Sequence, residues 1–292
     1  MSLTEKTIDG SVCADGSKGN GVEIGCRLVV YGKAPGLGWE VGNLGDTIQT
    51  VALTRWLPPA LGVLRTPFEP KITDVPFVVN GFFEQPNEGQ GDNVLFAGIH
   101  IDLDPQAHVD VEAFLPWFRS SRYPQIGVRD PATKHRLWQY GLNVEMIGCS
   151  AITFDRYEGP RSGIYAIDCS APGEPLSHII PVDMPLADRW KLAVLRLGLY
   201  KTAELVYTSK MHAMLPCLAM GTPVCYVPEG IYDASRLSLL DDLGVRPREV
   251  TTLDVAPARS RFLDFLRRHL PVTSETPTDP IRPVSYEEYK PR

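Results

Sequence analysis

Short apolar runs alternate with longer stretches in which apolar residues recur at helical spacing. Arg27-Leu-Val-Val-Tyr31, Phe77-Val-Val79, Val94-Leu-Phe-Ala97, Ile126-Gly-Val128 and Asn143 to Ile147 read as strands. Runs this short and this apolar suit parallel strands covered on both faces. Asn80-Gly81 ends the second of them, and Gly98-Ile-His100 follows the third. Between strands, Asp46-Thr-Ile-Gln49 opens a helical stripe of Ile48, Val51, Ala52 and Trp56, with Asp46 and Gln49 as a capping-box variant and Leu57-Pro-Pro59 as its stop. Asp130-Pro131 starts another helix, with Asp as N-cap and Pro in the first position, and Gly141 closes it.

Cys149-Ser-Ala-Ile-Thr-Phe154 reads as a hinge, after which the pattern restarts. Gly163 to Ile167 and His178 to Ile180 are strands, and Arg189 to Tyr200 is an amphipathic helix. Leu205-Val-Tyr-Thr208 is a strand running directly into a helix at Ser209. Gly221-Thr-Pro223 turns the chain into the strand Val224 to Val227, and helices follow at Ser235 to Leu243 and Arg259 to Leu270. Strands alternating with helices through short loops predict α/β class: two Rossmann-like, doubly wound parallel-sheet halves with an interdomain cleft. The expected division is a loosely ordered segment 1–24, an N-terminal half 25–155, a C-terminal half 156–272 and an exposed polar tail 273–292. A length of 292 residues accommodates two such halves.

Composition narrows the partners. With 29 Lys+Arg against 35 Asp+Glu the net charge is -6, which argues against a general nucleic-acid surface and leaves room for a local basic pocket. None of the six cysteines forms a C-x-x-C pair, so a zinc finger is not indicated and a reduced, cytoplasmic protein is expected. Residues 1–12 lack the apolar core of a secretory signal. The apolar stretch 211–228 is interrupted by His212, Pro216 and Pro223 and does not read as a membrane span. Arg259, Arg261, Arg267 and Arg268 decorate the last helix opposite Phe262, Leu263 and Leu266: a solvated face, with docking at the inner surface of a membrane as the lesser alternative.

Chemistry is expected where strands hand over to helices, because ligands of open α/β sheets bind at the strands' carboxyl ends. Gly42-Asn-Leu-Gly45 permits close backbone approach before a helix start, and it is neither a G-x-G-x-x-G nor a P-loop. Thr208, Ser209 and Lys210 bring hydroxyls and an ammonium to the positive end of a helix, which suits an anion, and His212 adds a proton carrier. Arg129 ends its strand and suits a carboxylate or phosphate, while Asp130 reads as mainly structural. His100, Asp102 and Asp104, with His108 and Asp110 nearby, have a metal-like pattern; a solvated, capped loop is the preferred account of the aspartates, with no metal, and His100 is kept as a site residue.

In sequence order, several stretches resemble the polysaccharide pyruvyl transferase family. They are Gly42-Asn-Leu-Gly-Asp-Thr-Ile-Gln49, Asn80-Gly-Phe82, Gly98-Ile-His-Ile101, Ile126-Gly-Val-Arg-Asp-Pro-Ala-Thr133, Gly148-Cys-Ser-Ala-Ile-Thr153, Thr208-Ser-Lys-Met-His212 with its continuation to Val224, and Tyr232 to Gly244. Lys210-Met211-His212 stands where the family usually has Arg-Leu-His, which keeps the charge and loses the bidentate fork, and the chain is short for the family. The resemblance implies a GT-B-like fold and an enzyme of exopolysaccharide biosynthesis. Its donor would be phosphoenolpyruvate, without a further cofactor, and its acceptor a saccharide or lipid-linked oligosaccharide that becomes a pyruvate ketal. His212, Asp46 and His100 then fall in catalytic roles. Lys210, Ser209, Thr208, Arg129, Gly42, Asn43, Gly45 and Asn80 fall in substrate binding. A nucleotide-sugar glycosyltransferase of the same architecture and a non-catalytic glycan-binding relative are the alternatives.

Overall fold

The computed structural model describes residues 27–30, 41–57, 63–65, 77–83, 93–101, 110–229, 234–270 and 281. The first part of the chain contains β1 (Arg27–Val30), β2 (Val41–Asn43), α1 (Leu44–Thr54), β3 (Val63–Arg65), β4 (Phe77–Phe83), β5 (Val94–Ile101), α2 (Val111–Ser120), β6 (Ile126–Val128), α3 (Pro131–Trp138) and β7 (Val144–Met146). After a 3-10 turn at Ser150–Ile152 come β8 (Ile164–Ile167), β9 (Glu174–Leu176), β10 (Ile179–Pro181), α4 (Leu186–Thr202), β11 (Leu205–Thr208), α5 (Met211–Met220), β12 (Val224–Tyr226), α6 (Ala234–Asp242), β13 (Val250–Thr251) and α7 (Ala256–His269).

The fold is α/β. Strands β3-β1-β4-β5-β6-β7 form a six-stranded sheet in which every neighbour is parallel. Strands β13-β12-β11-β8-β9 form a second sheet, parallel except where β13 meets β12. A parallel pair needs a crossover: α1 lies between β1 and β3, α2 between β5 and β6, α3 between β6 and β7 and α5 between β11 and β12, while β8 and β9 are joined by residues 168–173 without a helix. On the first sheet, Val78 and Leu95 pack with Leu53 and Trp56 of the α1 end and with Phe262, Phe265 and Leu266 of α7. Their sequence neighbours Val79 and Phe96 turn to the other face, against Phe114, Trp117 and Phe118 of α2 and Leu137 of α3. Side-chain alternation along a strand produces this division.

α1 is buried almost all round: Leu44, Ile48, Val51 and Ala52 share a core with residues of α4, α5 and the 150–152 turn. α7, the last described helix, packs on the first sheet. Arg259 on α7 and Arg55 at the end of α1 both bind Asp155, fastening the 153–155 segment between the two helices. Among the described residues no helix is long and apolar enough to cross a membrane.

Several expectations need correction. α1 begins at Leu44, with Asn43 rather than Asp46 as N-cap, because the Asn43 side chain accepts from Gly45 N at 2.9 Å. Residues 41–43 are then a strand rather than a glycine loop; β2 pairs antiparallel with β10, which carries 179–181 away from the parallel sheets. β4 does not stop at Asn80 but continues to Phe83 through a bulge at Val79/Gly81, and β5 runs to Ile101 through another at Ala97/Ile99. The helix expected at Ser209 starts at Met211. The segment read as a hinge is buried from Cys149 to Phe154. In the tail, Ile281 is buried and its carbonyl accepts from Lys201 Nζ at 2.8 Å. The remainder of that tail, like segment 1–24, lies outside the described residues.

Candidate functional site: two helix starts and a buried ion cluster

β11 passes to α5 through a turn stitched by its own hydroxyls. Ser209 Oγ donates to the Asp168 carbonyl at 2.6 Å, and Lys210 N donates to Thr208 Oγ1 at 2.9 Å. These hydroxyls hold the backbone of the turn. Lys210 occupies the N-cap position of α5, and no side chain caps that helix start. The positive end of the helix therefore falls at the Lys210 backbone, and Lys210 is partly exposed there.

The start of α1 meets this turn. Leu44 N donates to the His178 carbonyl at 2.8 Å, fixing α1 to the β10 strand. Gly45 has no side chain, and His212 occupies the space: a Cβ at Gly45 would lie 2.7 Å from His212 Nδ1 and 2.9 Å from His212 Cβ. Two helix N-termini thus touch through a glycine and a histidine. Asp46 sits in the first turn of α1, partly exposed. Gly42 lies within the β2–β10 ladder, opposite Ile180.

A second centre lies at the carboxyl ends of β5 and β6. His100, Arg129 and Asp130 are all buried. Asp130 accepts from Thr133 N at 2.9 Å as the N-cap of α3, from His100 Nδ1 at 2.7 Å and from Arg129 Nε at 3.3 Å. The carboxylate is acceptor-only, so His100 carries its proton on Nδ1. Burial alone would raise the Asp130 pKa, but the hydrogen bond and charge of His100 with the charge of Arg129 bring it below the ordinary value. Thr133 Oγ1 lies 3.2 Å from the same His100 nitrogen.

Between the centres runs the Cys149–Ser150 segment. Burial pushes the Cys149 thiol up to about 11, against the opposing charge of Arg129. Its Sγ donates to Gln49 Oε1 at 3.6 Å, and Ser150 Oγ donates to the Gln49 carbonyl at 2.9 Å. Asn80 Nδ2 reaches Ser150 Oγ at 3.4 Å. On the other flank, His178 Nε2 lies 2.6 Å from Tyr200 Oη. Burial, then the charges of Arg196 and Lys210, press the His178 pKa down to about 3.

Of the expected site residues, Asn43, Gly45, Lys210 and His212 converge at the touching helix starts, and His100 and Arg129 converge on Asp130. Asn80 joins through Ser150. Asp102, Asp104 and His108 lie outside the described residues, and Asp110 caps α2 through Glu112 N. Among the described residues no three His, Cys, Asp or Glu side chains gather to hold a metal. The four arginines of α7 are engaged: Arg259 with Asp155, Arg261 with Asp242, Arg267 with Asp264 and Arg268 with Glu145. Sequence reasoning missed the joining role of Asp130, whose Asp-Pro cap signal hid its other bonds, and it missed His178, Gln49 and Ser150.

No protein-family model matches the chain, and no curated protein matches it. Among solved structures, a functionally uncharacterised protein from Klebsiella pneumoniae subsp. pneumoniae NTUH-K2044 is similar at 13% sequence identity and a TM-score of 0.46, covering 74% of this chain and 88% of its own.

Proposed function

We propose that the chain transfers a pyruvyl group from phosphoenolpyruvate to two hydroxyls of one sugar, forming a ketal. The observation that carries this reading is the start of α5: an uncapped helix N-terminus, the Lys210 ammonium and His212, pressed against the first turn of α1. A small, highly charged phosphate ester needs that density of positive charge. The packing of α1 on α5 and of α3 on α6 supports a GT-B-like arrangement, in which the carboxyl ends of both sheets border one cleft. Arg129 would take the carboxylate from the first-sheet side and Lys210 the phosphate from the second.

In the reaction, an acid protonates the methylene carbon and C2 gains oxocarbenium character. A first sugar hydroxyl bonds to C2, giving its proton to a base. The C2–O bond to phosphate then breaks, phosphate departs with the bond pair, and a second hydroxyl of the same sugar closes the ketal and loses its proton. His212 is assigned the acid, or the partner of the departing phosphate; Asp46 and His100 are the bases toward the acceptor. Thr208 and Ser209 act through the turn they stabilise.

Thermal shift with phosphoenolpyruvate and with nucleoside diphosphates tests the donor, since a ligand that binds only the native state adds stability. Stabilisation by phosphoenolpyruvate alone supports pyruvyl transfer. Stabilisation by a nucleoside diphosphate alone moves the assignment to a nucleotide-sugar glycosyltransferase, and neither leaves a glycan-binding protein. With phosphoenolpyruvate and an acceptor, His212→Ala should lower turnover by about 10²–10⁴-fold per folded molecule. A loss of melting temperature with turnover intact would make His212 a packing residue.

A further inference from the structure

α2 beyond its first turn, and α3 throughout, turn only positive charge to solvent. Between Ala113 and Asn143 the chain has a single acid, Asp130, and that one is buried with Arg129 and His100. Arg119, Lys134 and Arg136 are exposed, and among the described residues none of the three forms an ion pair. The arginines of α7, by contrast, are all paired with acids. In a chain of net charge -6 this segment is an exception.

An aromatic side chain stands among these bases. Trp138 is 67% exposed, more than any other large apolar side chain among the described residues. Lys134 lies one helical turn before it, on the same side of α3. The Arg136 guanidinium carbon is 5.5 Å from the Tyr140 ring centroid, and Arg119 Nη2 donates to the Tyr140 carbonyl at 3.4 Å. The last turns of α2 and α3 are thus tied together at Tyr140, and both helices pack their apolar sides on the same face of the first sheet. Arg119, Lys134, Arg136 and Trp138 therefore belong to one surface.

Charge and shape together select the occupant. A twofold contact between copies through this face would set bases against bases. One large apolar side chain does not supply the desolvated core of a stable protein interface. An extended nucleic-acid contact is opposed by the chain's negative balance. An indole has an apolar body and a polar N–H, and such rings settle at the headgroup level of a bilayer, where anionic lipids attract neighbouring bases. We propose that the α2–α3 face docks on an anionic membrane surface, with Trp138 entering the headgroup layer and Arg119, Lys134 and Arg136 meeting lipid phosphates. The proposal does not depend on the pyruvyl reading. Asp130 caps the start of α3 and Trp138 ends it, so docking approaches the first sheet from the end opposite the His100–Asp130 cluster.

Flotation of the full chain with vesicles tests the docking, using phosphatidylcholine alone and an equimolar mixture with phosphatidylglycerol. The wild type should float with the mixture, stay behind with phosphatidylcholine, and be released as salt is raised. Trp138→Ala should weaken the partition by about tenfold. Lys134→Ala and Arg136→Ala should weaken it by about fivefold each. Melting temperatures should hold, because the altered side chains are exposed. If Trp138→Ala does not fold, Lys134→Glu carries the test and should lose more binding than Lys134→Ala. A wild type that does not float with the anionic vesicles overturns the proposal. So does equal flotation of wild type and variants, or equal flotation with both lipids. A wild type that ignores vesicles but binds a DNA oligonucleotide, or self-associates through Trp138, assigns this face to another partner and overturns it as well.

Discussion

Two helices begin in equivalent places, α3 just after β6 and α5 just after β11, and their N-termini are finished in opposite ways. At α3, Asp130 caps the backbone, and the same carboxylate neutralises Arg129 and binds His100, all of it buried. At α5, a lysine stands in the cap position and no side chain caps the helix. A carboxylate at a helix's positive end is stabilising, whereas an ammonium there is opposed. At α3, therefore, the positive helix end and its neighbouring cation already meet a carboxylate. α5 begins with a lysine at its cap position and no side-chain cap, the place where the proposed donor anion would bind.

Removing that carboxylate should have the largest effect. Asp130→Ala leaves Arg129 and His100 buried without their carboxylate and strips the α3 cap. The expected loss is about 3–5 kcal/mol of unfolding free energy, measured by urea denaturation. A loss below about 1 kcal/mol would show that α3 does not depend on the ion cluster, and the contrast with α5 would fail.

The corresponding change at α5 should act on binding instead. Lys210→Ala should weaken phosphoenolpyruvate binding by about 10- to 100-fold in calorimetry, the range for a charge-assisted contact. Its melting temperature should stay level or rise slightly, because a cation leaves the positive helix end. Lys210→Arg should keep the affinity. Equal binding by Lys210→Ala and wild type would mean that the charge at α5 holds no anion.

Acid should separate the two regions further. The folded His178 pKa is pressed to about 3, so in acid the unfolded chain takes up a proton that the folded chain refuses. Stability from this group is complete above the unfolded value near 6.5 and declines as pH falls from there toward 3. Between pH 6.5 and 5 the loss should be about 2 kcal/mol, and His178→Gln should lack most of it. The half-buried His269, also lowered, adds in the same direction. Asp130 behaves differently: its folded pKa is depressed, so its contribution persists above the unfolded carboxylate value near 3.9 and fades as pH falls below that through the folded value. Denaturation profiles in which the wild type and His178→Gln run parallel above pH 5 would contradict this order.

The elements most legible in the sequence were those with local signals. Ile126–Val128 is bounded as expected, the Asp130-Pro131 start holds, and Leu205–Thr208 is a strand between helices. Each depends on a cap, a proline or a short apolar run, which act over a few residues. The errors came where tertiary contacts decide. Asn43 outcompeted Asp46 as the cap of α1 because β2 pairs with β10, far along the chain, and sets the entry to the helix. The β4 bulge that directs Asn80 depends on its alignment with β5, and α2 between Val111 and Ser120 was not foreseen. In the site, the helix-start residues were legible because strand-to-helix transitions concentrate ligands. Gln49 reads in sequence only as a cap partner, and His178 as a strand residue; their burial and unmet hydrogen bonds exist only once distant segments meet.

Gly45 offers the finest test, since it is where the α5 start leans on α1. An alanine inside a helix is favoured over glycine by about 1 kcal/mol. Against this, the new Cβ would lie 2.9 Å from His212 Cβ, an atom anchored to the α5 backbone that cannot swing aside. Overpacking of this kind costs about 1–3 kcal/mol, so the two contributions largely offset and Gly45→Ala should fold with a modest change in melting temperature. Relief of the contact requires His212 to shift, and a displacement of a few tenths of an ångström at a reacting group should lower turnover by about tenfold. Phosphoenolpyruvate affinity, set by Lys210, should change less. If Gly45→Ala turns over like the wild type, the contact between the helix starts is packing alone, and α5 differs from α3 only in charge.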